Sequence, residues 1–98
     1  MASCDQVVAI HGCGGETQQA LVGGLNEELK AAVTQSIADL GIETLSADHR
    51  FPVIDSKNIC NRGRRGVGVQ VELTMPLRLH GPRDALAAAI RSVLLAMT

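Results

Sequence analysis

His11 is the first residue of this chain whose type and setting could do chemistry. It follows four apolar residues, Val7, Val8, Ala9 and Ile10, and opens a glycine-rich run with Gly12, Gly14 and Gly15. An apolar run between polar Asp5-Gln6 and glycines predicts a buried strand ending at His11. In open α/β sheets, ligands bind just beyond the carboxyl ends of the strands. An imidazole there can be aimed and held still, as a metal ligand or general base must be. A structural or solvated histidine is the plainer alternative. Gly12-x-Gly14 partly matches the dinucleotide fingerprint, but Thr17 stands where its third glycine would be. Cys13 forms a His-x-Cys pair with His11 and also reads as a small loop residue.

Glu72 is the second such residue. Val67 to Thr74 (VGVQVELT) alternates with period two. That puts Val67, Val69, Val71 and Leu73 on one face and Gly68, Gln70, Glu72 and Thr74 on the other. A carboxylate deep in such a strand must be solvated, paired, metal-bound or catalytic. If this strand and that of His11 run parallel in one sheet, the two side chains meet at the same edge. A third feature is the stretch from Ala47 to Gly66, with Arg50, Arg62, Arg64 and Arg65. Loops this long in compact domains are often functional. Arg62, Arg64 and Arg65 could bind an anion, although Arg64 and Arg65 read more simply as solvated.

These residues need elements to position them. A helix is predicted from its Asn26 N-cap, with Glu27 and Glu28 in the first turn and Gly41 as its stop. Leu25, Leu29, Val33, Ile37 and Leu40 recur along it as one apolar stripe. Ala20 to Val22 reads as a short strand or extended segment, and Ile42 to Ser46 as an edge strand. Met75-Pro76 breaks the Glu72 strand. A last helix runs roughly from Pro82 to Met97 and buries Leu86, Ala89, Ile90, Val93, Leu94 and Met97. Strands alternating with helices argue an α/β fold.

Composition narrows the function. The 98 residues make one small domain, with 46% hydrophobic residues and Phe51 as the sole aromatic. A net charge of −1 gives no general attraction to nucleic acid or acidic membranes. Without aromatics to stack on bases, single-stranded nucleic acid is a poor partner. No apolar run of membrane-spanning length exists, and the first residues lack signal-peptide character. Three cysteines without CxxC spacing argue against a disulfide framework or a zinc knuckle.

Four pieces then line up in order: IHGCGGE at 10–16, VGGLNEEL at 22–29, NICNRG at 58–63 and GVQVELTMPLR at 68–78. Together they resemble the C-terminal half of the poly-γ-glutamate hydrolase family, phage and bacterial zinc enzymes. The resemblance covers about the whole chain, and NICNR followed by GVQxEL is its most distinctive part. It implies a small mixed sheet with flanking helices, as in a zinc carboxypeptidase-like (phosphorylase/hydrolase-like) fold. It implies zinc held by two histidines and a glutamate, with His11 as the last of these ligands. Glu72 would be the general base. Arg62 would anchor a substrate carboxylate, with Asn58 and Asn61 nearby and Arg78 as a further candidate. The implied partner is a polyanionic peptide or poly-γ-glutamate, with no nucleic acid and no membrane, in a cytoplasmic or phage-encoded protein.

The departure from the family pattern is upstream. The family's first zinc ligands come from an N-terminal motif of closely spaced His and Glu. The ten residues before His11 hold neither, and His49 and His80 lie in segments that do not match it. A catalytic zinc usually has three protein ligands. Residues 1–98 are therefore expected to be a single α/β domain forming part of a larger catalytic domain. Alternatively, the chain is a shortened relative without the activity, or its site is completed by another chain or a homo-oligomer. Two further readings stay open, a non-catalytic oligomerising module and a small anion- or nucleotide-binding domain.

Overall fold

The computed structural model describes residues 8–46 and 68–96. Its strands are β1 (Val8–Cys13), β2 (Gln19–Gly23), β3 (Glu43–Leu45) and β4 (Val69–Thr74). Its helices are α1 (Glu27–Ala38), α2 (Met75–His80) and α3 (Arg83–Ala96). Among the described residues the sheet has the order β1-β4-β2-β3. β4 runs parallel to β1 and antiparallel to β2, while β2 runs parallel to β3. The result is the expected mixed sheet with flanking helices.

The alternation along each strand divides the sheet's two faces. Ala20, Val22, Val69 and Val71 face α1 and α3, joining Leu29, Val33, Ile37, Leu86 and Ile90 in one core. Each fully buried aliphatic side chain there contributes roughly 1.5–3 kcal/mol. The opposite face carries His11, Gln70, Glu72, Thr74 and Leu21. The core therefore fixes the strands from one side, and the polar residues project from the other.

α1 begins as its sequence predicts. The Asn26 side-chain oxygen accepts a hydrogen bond from the Leu29 amide at 3.1 Å. This satisfies one of the orphan donors of the first turn. The helix ends at Ala38, and the chain turns away at Gly41, whose φ is +82°. Leu29, Val33 and Ile37 are buried, but Leu40 is exposed because the last turn has already unwound.

Three boundaries differ from expectation. β1 runs through His11 to Cys13, because the ladder to β4 continues with Gly12 opposite Leu73 and Cys13 opposite Thr74. Met75-Pro76 ends β4 but also starts the short helix α2, with Pro76 in the first turn. Proline costs little there, since the first amides have no intrahelical partner. α3 starts at Arg83, just after Pro82. Val67 and Met97 lie outside the described residues. No helix among the described residues is long and apolar enough to cross a membrane.

Candidate active site

The parallel register of β1 and β4 sets His11 directly opposite Glu72. Residues paired this way point to the same face. The His11 Nδ1 atom lies 3.5 Å from Glu72 Oε1, with the His side chain 50% exposed and the Glu side chain 6% exposed. The carboxylate thus lies at the floor of the site and the imidazole at its rim. At 3.5 Å the contact is too long for a strong hydrogen bond. It is an ion pair only when the imidazole is protonated.

Gln70 stands two residues before Glu72 on the same face. Its Nε2 donates to Glu72 Oε1 at 2.6 Å, in a buried setting. One carboxylate oxygen is thus approached by both Gln70 and His11. Gln70 Oε1 is buried with no hydrogen-bond partner among the described residues. On the β2 side, Leu21 pairs with Glu72 and supplies an apolar wall. Burial without full compensation makes a carboxylate costly, so the polar contacts of Glu72 matter to the fold as well as to chemistry.

Thr74 follows on the same face, at the end of β4. Its hydroxyl donates to the Thr17 carbonyl at 2.7 Å and accepts from the Gln19 amide at 3.0 Å. This fastens the connection between β1 and β2 to the end of β4. That connection leads into a strand, so no helix N-terminus follows its glycines. The arrangement the dinucleotide fingerprint needs is therefore absent at this loop.

Arg78 is placed elsewhere. A Cβ built on Gly12 would come within 2.6 Å of Arg78 Cζ, so the guanidinium lies across Gly12. Gly12 alternates with His11 and belongs to the helix-covered face. Arg78 lines a groove on that side with Ile10, Leu73, Arg83, Leu86 and Ile90. The structure therefore brings His11 and Glu72 together and leaves Arg78 across the sheet from them. Asn58, Asn61 and Arg62 lie outside the described residues.

Gln70 and Thr74 are the members that sequence reasoning did not single out. The alternation of VGVQVELT already put both on the face of Glu72. Their hydrogen bonds depend on side-chain rotamers that alternation does not give.

Among the described residues there is no cluster of three or more His, Cys, Asp or Glu side chains able to hold a metal ion. His11 and Glu72 are nitrogen and oxygen donors of the kinds zinc accepts. They fit it in type, but with Glu72 in the role of base His11 is the one ligand among the described residues, and the further protein ligands would have to come from outside them.

A family model described as poly-gamma-glutamate hydrolase matches residues 1–86. The SPbeta prophage-derived UPF0714 protein YoqZ of Bacillus subtilis is 33% identical over 76 residues, covering 76% of this chain and 28% of YoqZ. The UPF0714 protein YndL of the same organism is 28% identical over 76 residues, covering 76% of this chain and 30% of YndL. Among solved structures, a bacteriophage poly-gamma-glutamate hydrolase superposes with a TM-score of 0.85 at 28% identity. That match covers 94% of this chain and 53% of the phage enzyme. A zinc-free apo form of YndL superposes with a TM-score of 0.65 at 27% identity, covering 74% of this chain and 37% of that one. The chain thus spans about half the length of the phage structure and about 30% of these curated relatives. With a family model matched along most of its length and a closely superposing fold, the chain belongs to the poly-gamma-glutamate hydrolase family.

Proposed function

We propose that this chain supplies the C-terminal half of a zinc-dependent hydrolase that cuts the amide bonds of poly-γ-glutamate. The observation that carries the reading is the His11–Glu72 pair, opposed in register and 3.5 Å apart. His11 would hold the metal. When bound, zinc lowers the pKa of its water to about 7 and polarises the scissile carbonyl. Glu72 would take a proton from the attacking water and deliver it to the leaving amine. With Oε1 held by Gln70, Oε2 is the oxygen left for that proton transfer.

Arg62, with Asn58 and Asn61, would anchor the free carboxylates of the substrate, because a guanidinium binds a carboxylate in a bidentate way. Arg78 faces the other side of the sheet and is a poorer anchor for the same cleft. The remaining zinc ligands would come from the other half of a longer polypeptide or from a second copy. Among the described residues β1 is an end strand of the sheet.

The test combines metal analysis with hydrolysis. Supplied with the rest of a family enzyme, the purified protein is expected to retain zinc and to shorten poly-γ-glutamate, with both lost on chelation. A protein that takes up no zinc and leaves the polymer intact, even with the rest of a family enzyme supplied, would overturn the proposal. The incomplete ligand set among the described residues favours a second reading, a module that kept the fold without the activity. That negative result would support it.

A further inference from the structure

We infer that Gln70 is a positioning residue that turns the Glu72 carboxylate toward His11. The inference rests on the proposed role of Glu72 as base. Gln70 is 5% exposed, and its Nε2 donates to Glu72 Oε1 at 2.6 Å. The amide orientation follows from the bond itself, since a carboxylate can only accept. Oε1 of Gln70 is left buried and without a partner among the described residues.

An orphaned buried carbonyl is unfavourable. Methionine would occupy nearly the same volume with no polar atom to satisfy. What the amide provides in return is one short hydrogen bond to Glu72. That bond fixes which oxygen faces His11 and leaves the other for proton transfer. Leu21 on the β2 side is apolar and offers the carboxylate no alternative donor. Without Gln70, the Glu72 side chain keeps, among the described residues, its long contact to His11.

The decisive variant is Gln70→Met, compared with wild type in three measurements. Thermal unfolding is expected to show a lowered melting temperature, because the buried Glu72 carboxylate loses its short hydrogen bond. A crystal structure of the variant is expected to show the Glu72 carboxylate turned away from His11. In a hydrolysing protein, kcat is expected to fall by roughly 100-fold with KM unchanged, the scale of a small misplacement of a catalytic group. A purely structural glutamine would lower the melting temperature in the same way but leave kcat and the position of the carboxylate alone.

The inference is overturned if the carboxylate keeps its place beside His11 in the variant, or if kcat does not move. If Gln70→Met does not fold, side-chain amide NMR of the wild-type protein decides. One Gln70 amide proton should be shifted downfield and slow to exchange, an effect abolished by Glu72→Ala. A Gln70 amide with free-glutamine shifts and fast exchange overturns the assignment. A wild-type protein that cuts no polymer refutes the proposed function. The carboxylate position and the amide signal still judge Gln70 in that case.

Discussion

The guanidinium of Arg78 lies over Gly12, on the face of the sheet turned away from Glu72. This one placement separates two residues that the sequence puts six positions apart in a single motif. It has a functional consequence. Arg78→Ala should leave KM for a γ-glutamyl substrate close to wild type. Arg62→Ala should raise KM by about 10- to 100-fold, the loss of a charge-assisted hydrogen bond of roughly 1.5–3 kcal/mol. Steady-state kinetics on the two variants checks the pair. The assignment of Arg62 as anchor fails if Arg78→Ala carries the larger effect.

The same contact sets what Gly12 tolerates. A methyl group there would meet only the far end of a flexible arginine side chain, 2.6 Å from Cζ. The side chain can swing aside. Gly12→Ala should therefore change stability by no more than about 1 kcal/mol, with part of any loss offset by a stiffer unfolded chain. Gly24 behaves differently. Its φ is +127°, and an added Cβ would collide with the carbonyl of Gly68. That carbonyl is fixed by accepting a hydrogen bond from the Asn26 amide at 3.0 Å. Gly24→Ala should cost on the order of 3 kcal/mol. Urea denaturation of the two variants measures the contrast, and equal midpoints would refute it.

Thr74 is predicted to matter more than a buried threonine of its size suggests. Thr74→Val keeps the shape and removes both the donor to Thr17 and the acceptor for Gln19. Leaving partly buried backbone groups unpaired costs about 1–3 kcal/mol each at full burial. A loss of about 2 kcal/mol in denaturant unfolding is the expected outcome. Faster amide exchange along residues 14–19 should accompany it, and unchanged exchange there would show that the connection is held by other contacts.

Much of this arrangement was legible in the residues. The alternation in VGVQVELT assigned Glu72 to a face, and helical spacing gave α1 with its Asn26 cap. Strand direction was not legible. Alternation is the same for parallel and antiparallel neighbours, so the meeting of His11 and Glu72 hung on the β1–β4 pairing. The insertion of β2 between β4 and β3 was hidden for the same reason. α2 escaped notice because six residues are too few to show a helical period, and Pro76 read as a break. Missing α2 also meant missing which side Arg78 faces.

Glu72→Gln separates the two roles a carboxylate beside His11 could play. The substitution keeps the size of the side chain and its acceptor for the Gln70 amide, now 2.6 Å from Oε1. The fold should therefore survive nearly unchanged. A general base, however, needs a carboxylate, and its loss costs about 100- to 10,000-fold in rate. If Glu72 is the base, Glu72→Gln should abolish hydrolysis while leaving zinc content at the wild-type level. His11→Ala should lower zinc content as well as activity. Loss of zinc in Glu72→Gln would instead make Glu72 a metal ligand, and the base would have to be sought on another element. Metal analysis beside kcat on the two variants distinguishes these outcomes, because the 3.5 Å between His11 and Glu72 is compatible with either role.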